Sequence, residues 1–168
     1  MSDAITDLGQ ALSFPSAVFP APPSFRFSAP DEWTTDPLTG TEGGVRLDAG
    51  PDAFSPNVVI STARITGSRE AVLAAQAVSI SSLDQVELLD EIDLGIAGVS
   101  WHVWEYAFRD SRVGTVVQLA ATAITGATPG THSVSFVGSV TADRATELLP
   151  TIRAILQSIS LTEGPVQS

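Results

Sequence analysis

The two histidines of the chain, His102 and His132, are the residues best suited to metal binding or acid–base chemistry. A zinc site needs three or four protein ligands, but the chain has no cysteine and no further ligand stands at suitable spacing beside either histidine. A Ser-His-Asp arrangement stays open because its members need not be close in sequence, although the chain lacks a Gly-x-Ser-x-Gly elbow. We therefore predict structural roles for both histidines, with no catalytic residue, no metal ligand and no cofactor.

A second group of residues that could do chemistry is a run of acidic side chains alternating with aliphatic ones. The acidic residues are Asp84, Glu87, Asp90, Glu91 and Asp93. Such alternation is typical of a strand with a solvated face. A docking surface for a basic partner and a weak site for a divalent cation are the alternatives.

The stretch from Gly98 to Arg109 predicts the strand around which the rest of the chain is organised. Alternation divides its side chains between two faces, Val99, Trp101, Val103, Glu105 and Ala107 against His102, Trp104, Tyr106 and Phe108. Because both faces are largely apolar, we expect a strand in the middle of a sheet, covered on both sides. Glu105 would then be partly buried, so we expect it to pair with Arg109 or Arg112.

Hydrophobic periodicity and turn residues place the other elements. The predicted strands are 24–28, 45–48, 57–66, 84–94, 98–109, 114–125 and 131–139, and the predicted helices are 69–82 and 142–159. Ser68 is the expected N-cap of the first helix, and the helix face expected to meet the sheet carries Ala71, Val72, Ala75 and Val78. The order β-β-β-α-β-β-β-β-α predicts an α+β fold. We expect a three-layer α/β/α sandwich with a largely antiparallel sheet of about six to seven strands.

The ends of the chain are predicted to lie outside this single domain of residues 24–161. Residues 1–23 read as a proline-rich N-terminal arm after a weakly helical patch at Ile5, Leu8 and Leu12, and residues 162–168 read as a tail. Exposed Phe14, Val18 and Phe19 would favour contact with this or another subunit, and a disordered arm is the alternative.

Composition excludes several classes of partner. The chain has 8 Arg and no Lys against 19 Asp and Glu, a formal net charge of −11. This charge opposes attraction to nucleic acid or to an anionic membrane surface. The absence of Cys excludes disulfides and thiolate sites, and neither a signal peptide nor a transmembrane stretch is seen. The expected location is cytoplasmic, with non-classical export left open, and the use of Arg without Lys is typical of GC-rich bacterial genomes.

Four segments of the chain resemble the PsbP-like fold. They are Phe-Arg-Phe-Ser-Ala-Pro-Asp-Glu-Trp at 25–33, Asn-Val-Val-Ile-Ser at 57–61, the aromatic stretch, and Ile-Leu-Gln-Ser-Ile-Ser at 155–160. Within that fold, residues 24–161 most resemble the actinobacterial LpqN/LpqT-type lipoproteins and the DcrB-like proteins. The resemblance implies a non-enzymatic binding or assembly module without a shared active site. The lipoproteins carry an acylated cysteine that this chain lacks, which favours the cytoplasmic chaperones of the same fold.

The resulting expectation is a non-enzymatic protein-binding module, such as a cytoplasmic chaperone or adaptor for a secreted or membrane-inserting bacterial protein. The residues expected to bind the partner are Phe14, Val18, Phe19, His102, Trp104 and Tyr106. A structural subunit tethered by residues 1–23 is one alternative. A small-ligand binder or enzyme that uses the aromatic face is the other.

Overall fold

The computed structural model describes residues 14–35, 43–126 and 130–163. The strands are β1 (Ser24–Arg26), β2 (Trp33–Thr35), β3 (Gly43–Leu47), β4 (Asn57–Arg64), β5 (Glu87–Ile96), β6 (Val99–Asp110), β7 (Gly114–Thr125), β8 (His132–Thr141) and β9 (Ser160–Thr162). The helices are α1 (Arg69–Ser81) and α2 (Ala145–Gln157), and a 3-10 helix at Ala142–Arg144 leads into α2. The helical patch predicted at Ile5, Leu8 and Leu12 and the end of the predicted tail lie outside the described residues.

Seven strands form one antiparallel sheet in the order β2-β3-β4-β8-β7-β6-β5, and β1 pairs with β9 in a small separate sheet. The predicted α+β sandwich with an antiparallel sheet of about six to seven strands is confirmed. The prediction for residues 24–28 was wrong in one respect, since β1 lies outside the main sheet. The three-residue strands β2 and β9 were not predicted, because so short a segment carries almost no periodic signal.

Helix α2 covers one face of the main sheet. Its stripe of Leu148, Ile152 and Ile155 packs with Trp101 and Phe136 in the larger core cluster. The helix runs through Pro150 without a break. Gly138 of β8 lies directly under Ile152, where a Cβ atom would collide with the isoleucine side chain. The glycine therefore lets helix and sheet approach closely.

Helix α1 covers the other face sparsely. It begins as predicted, with the Ser68 side chain accepting a hydrogen bond from the Ala71 amide. The predicted packing face is wrong, however, because Val78 is 67 % exposed and Ile80 is the buried residue of the helix. Ile80 packs with Trp104 and Tyr106 in the smaller core cluster. Small residues dominate α1, so its apolar face is weakly defined by sequence and the tertiary contact decides it.

Strand β6 has both faces covered, as its alternation predicts. Trp101 and Val103 belong to the α2 side of the core, and Trp104 and Tyr106 belong to the α1 side. The strand is not central, however, because it lies second from the edge, between β7 and β5. The crossover through α1 carries the chain from β4 to β5 at the far edge of the sheet, and this places β5 beside β6.

Candidate functional site

Strand β5 forms a long exposed edge of the main sheet. It is hydrogen-bonded to β6 only, and Leu94 and Ile96 alone among its ten residues are not exposed. Leu88 is 52 % exposed and Ile92 is 45 % exposed. An edge strand presents a row of backbone donors and acceptors to any strand that comes alongside. We call residues Glu87–Ile96 the β5 edge.

A β-bulge turns the exposed aliphatic residues of the β5 edge to opposite faces. The register with β6 shifts between Leu88 and Asp90, which leaves Leu89 as the extra residue. As a result Leu88 pairs with Tyr106 on the α1 side, whereas Ile92 pairs with Val103 on the α2 side. Without the bulge, residues four apart would share one face.

Each of these residues opens onto a crevice. The α1-side crevice, of about 230 Å³, is lined by Ala77, Ile80, Ser81, Val86, Leu88, Glu91 and Trp104. The α2-side crevice, of about 120 Å³, is lined by Asp90, Ile92, Leu94, Val103, Glu105, Leu119, Arg153, Leu156 and Gln157. Both have mainly apolar floors and charged residues at the rim, so the β5 edge is flanked by a crevice on each face of the sheet.

His102 lies between two carboxylates of the β5 edge. Its Nδ1 is 2.9 Å from Asp93 Oδ1 and its Nε2 is 2.9 Å from Glu91 Oε1. Both ring nitrogens of His102 therefore face carboxylate oxygens, which accept hydrogen bonds. Arg69 of α1 donates a further bond of 3.1 Å to Asp93. Hydrogen bonds from His102 and then from Arg69 hold the pKa of Asp93 below its usual range, so this hydrogen-bonded group links α1, β5 and β6.

Glu105 pairs with Arg153 of α2, at 2.6 Å between Oε2 and Nη2, and not with Arg109 or Arg112 as its sequence neighbourhood predicted. The pair stands at the rim of the α2-side crevice. Packing of α2 on the sheet brings together residues 48 positions apart. Sequence spacing on β6 could not indicate this partner.

The predicted arm residues Phe14, Val18 and Phe19 are exposed at the surface. The Phe14 and Phe19 rings meet edge to face with their centroids 5.4 Å apart. Arg64, at the end of β4, stacks over the Phe19 ring at 4.5 Å and donates to the Val18 carbonyl at 3.2 Å. This anchor is on β4, so the structure does not bring these three residues together with the β5 edge.

Trp104 and Tyr106, the other predicted partner-binding residues, belong instead to the core. Their exposed fractions are 2 % and 3 %, so neither can contribute a large surface contact, although Trp104 lines the floor of the α1-side crevice. The Tyr106 hydroxyl donates to Gln118 Oε1 at 2.8 Å, and burial raises the pKa of Tyr106 to about 12. The polar tip of this aromatic side chain is therefore satisfied inside the fold.

His132 is buried, and its Nδ1 lies 3.0 Å from the carbonyl oxygen of Gly130. Within the described residues, no three His, Asp or Glu side chains are arranged to hold a metal ion. In that same part of the chain no helix has the length and apolar character needed to cross a membrane.

The elements of this site were predicted from sequence, and a docking surface on the acidic run was one of the alternatives, but the geometry of the site was not predicted. Periodicity indicated a strand at 84–94 with a solvated face. It did not indicate that the strand is an edge or that a bulge exposes aliphatic residues on both faces. The one available signal was the doublet Leu88-Leu89 within an alternating acidic run, which breaks the period of two.

Comparison with known proteins places the chain by its fold. No protein-family model matches the sequence, and no curated protein matches it. The solved structures that are similar to this chain include three at 14 to 15 % identity. LpqN of Mycobacterium tuberculosis, described as involved in cell envelope biogenesis, aligns with a TM-score of 0.70 over 83 % of this chain and 84 % of its own.

A Pseudomonas aeruginosa protein of unknown function, PA94, described as a putative regulator, aligns with a TM-score of 0.55 over 82 % of this chain and 87 % of its own. PsbP (CyanoP) of the cyanobacterium Synechocystis sp. PCC 6803 aligns with a TM-score of 0.53 over 92 % and 98 %. None of the three descriptions names an enzymatic activity. The chain has a PsbP-like fold, which it shares with LpqN and with the cyanobacterial PsbP.

Proposed function

We propose that this protein is a non-enzymatic protein-binding module that takes an extended segment of a partner protein onto the β5 edge. The observation that carries the proposal is the position of this edge, a ten-residue exposed strand with an apolar crevice on each face. In strand addition, backbone hydrogen bonds supply affinity and pockets for alternate side chains supply specificity.

The geometry of the two crevices suits an added strand. Successive side chains of a strand point to opposite faces, so a segment lying along β5 directs them alternately to the α1 side and the α2 side. On the α1 side they approach Leu88 and Trp104, and on the α2 side they approach Ile92 and Leu156. Each crevice can bury one medium-sized apolar side chain and remove Leu88 or Ile92 from water.

A second copy of this chain is a poor occupant for the same edge. The strand carries four carboxylates, at Glu87, Asp90, Glu91 and Asp93. Pairing two such strands brings like charges together across the new ladder, which is destabilising. Acidic side chains on an exposed edge are a known means of preventing self-association. The occupant is therefore a different protein.

A chaperone or adaptor for a secreted or membrane-inserting protein is the form of this function that we favour. Such clients expose extended apolar segments before they reach their destination, and these are the segments that strand addition recognises. The exposed Phe14 and Phe19 pair supports a second role, in which the arm tethers this protein as a subunit of a larger assembly. The two roles use different surfaces and are separable by experiment.

The test compares capture from lysate by the full chain and by matched variants, followed by hydrogen–deuterium exchange of the recovered complex. Leu88→Asp combined with Ile92→Asp changes the β5 edge, and Val78→Asp combined with Val113→Asp changes exposed aliphatic residues elsewhere. We expect one stoichiometric protein to be lost with the first pair and retained with the second. Amides of residues 87–96 should exchange more slowly in the complex.

Two results would contradict strand addition. Capture that is insensitive to Leu88→Asp and Ile92→Asp, with unchanged exchange across residues 87–96, rules out this edge as the binding surface. Loss of the same protein on deletion of residues 1–23, with binding intact in the edge variant, assigns the contact to the arm and favours the tethered-subunit role.

A further inference from the structure

We infer that the segment bound at the β5 edge is basic, and that it places a Lys or Arg side chain beside Asp90 and Glu105 at the mouth of the α2-side crevice. This inference rests on the proposed function and specifies the chemistry of the partner. It is carried by the charges on the α2 side of the β5–β6 pair, which the fold leaves unbalanced.

Asp90 and Glu105 stand directly opposite each other on neighbouring strands and on the same face of the sheet. Like charges in directly opposed positions destabilise a strand pair unless a cation lies between them. Arg153 supplies one positive charge and binds Glu105 at 2.6 Å. Asp90 accepts a hydrogen bond from the Glu91 amide at 2.9 Å. None of the ion pairs among the described residues includes Asp90.

The group therefore carries two negative charges and one positive charge at the mouth of an apolar crevice. Ile92, Val103 and Leu156 line the apolar part. A Lys or Arg side chain matches both features, because its aliphatic stem packs on apolar surface while its charged end reaches a carboxylate. Directly opposed residues of paired strands have Cβ atoms about 5 Å apart, so a basic residue opposite Asp90 can form this ion pair.

Charge at the remainder of the edge favours the same partner. On the α1 side Glu91 and Asp93 share His102, and Arg69 pairs with Asp93. Glu87 at the start of the strand has no ion-pair partner among the described residues. An acidic segment would be repelled from both faces of this edge, whereas a segment of alternating basic and apolar residues complements it.

The test is an NMR titration of the 15N-labelled full chain with three nine-residue peptides that share one pattern. The basic probe is Thr-Val-Arg-Val-Thr-Val-Arg-Val-Thr. In the neutral probe both Arg residues are replaced by Gln, and in the acidic probe both are replaced by Glu. We expect shifts centred on residues 87–96, with affinity in the order basic, neutral, acidic at about 50 mM NaCl. The preference for the basic probe should largely disappear at about 500 mM NaCl.

Two charge variants separate a local site from the overall negative field. Asp90→Asn removes the unpaired carboxylate, and an Asn side chain can still accept the Glu91 amide. Asp48→Asn is the control and removes the same charge at a position just after β3, far from β5 in the sheet. Asp48 also accepts a hydrogen bond from a nearby backbone amide, that of Gly50 at 3.0 Å. We expect Asp90→Asn to weaken the basic probe about threefold and Asp48→Asn to leave it nearly unchanged.

The outcomes distinguish this inference from the proposed function. Equal weakening by both variants, or binding of the neutral probe at residues 87–96 as tight as that of the basic one, overturns the basic specificity and leaves strand addition standing. If no probe shifts residues 87–96, and a recovered partner also leaves their exchange unchanged, both proposals fail.

Discussion

Tyr106 illustrates at the residue scale how burial fixes the behaviour of an ionisable group. Its ring lies between α1 and the sheet, and its hydroxyl donates to Gln118, which in turn donates to Ser139 at 2.8 Å. Ionisation would place a charge in this poorly hydrated position, and burial therefore raises the pKa of Tyr106 to about 12. It is the only tyrosine, and the chain has no Lys or Cys, so no other side chain titrates between pH 10 and this value.

Because no other side chain titrates in this range, the change in the free energy of unfolding above pH 10 directly tests the burial of Tyr106. In the unfolded chain the phenol loses its proton near pH 10, whereas in the folded chain it keeps the proton until about pH 12. The unfolded state therefore binds fewer protons in this window, and the free energy of unfolding should fall by about 2 to 3 kcal/mol as pH rises through it. Urea unfolding at intervals of pH measures this fall.

Tyr106→Phe is the control for this prediction. The variant loses the hydrogen bond to Gln118, so its free energy of unfolding should be lower at pH 8, yet it should stay nearly constant from pH 10 to 12. A phenolate absorbance that appears near pH 10 in the folded wild-type protein would show that the ring is hydrated and would contradict its placement in the core.

At the element scale, the contact between α2 and β8 depends on Gly138. A Cβ atom at this position would collide with Ile152, which is fully buried. Gly138→Ala should therefore lower the free energy of unfolding by about 1 to 3 kcal/mol, because the helix must shift away from the sheet or Ile152 must leave its preferred rotamer. Chemical denaturation of the purified variant measures this cost.

A double-mutant cycle identifies Ile152 as the cause of this cost. Ile152→Ala alone leaves a cavity and should cost about 2 to 5 kcal/mol. In the double variant the new methyl group of residue 138 partly fills that cavity, so the combined cost should be smaller than the sum of the single costs. Additive costs would mean that Gly138 is needed for its strand conformation and not for the approach of α2.

The elements themselves show what the sequence could and could not predict. The two faces of β6 follow from strict alternation of large side chains, and α2 follows from a strong apolar stripe, so both were predicted correctly. The face of α1 was wrong because Ala and Ser give it little periodicity. The place of β5 at the edge, the bulge at Leu89 and the Glu105–Arg153 pair depend on strand order and helix docking, and local sequence does not encode these contacts in a readable form.

At the scale of the whole molecule, the excess of carboxylates means that salt should affect stability and binding in opposite directions. The formal net charge of −11 means that the folded chain repels itself, because folding brings the carboxylates closer together. Salt screens this repulsion, as it also screens any attraction between the β5 edge and a basic segment. The same ions should therefore stabilise the protein and weaken its binding to a basic partner.

This opposition gives a prediction for the free protein. Raising NaCl from about 10 mM to about 150 mM at pH 7 should raise the melting temperature by about 2 to 3 °C. The reason is that screening relieves more of the repulsion among the carboxylates than it removes of the attraction within the few described ion pairs. The control is the same comparison near pH 4.3, the isoelectric point of the sequence, where the net charge is small and the salt effect should nearly vanish.

The direction in which salt changes the melting temperature also decides why a complex with the basic probe is lost at high salt. If the melting temperature rises with salt while the basic probe dissociates, the lost binding reflects screened attraction at the β5 edge and not loss of the fold. A melting temperature that falls with salt at pH 7 would contradict the prediction. It would mean that ion pairs such as Arg69–Asp93 and Arg153–Glu105 contribute more to stability than the net charge takes away.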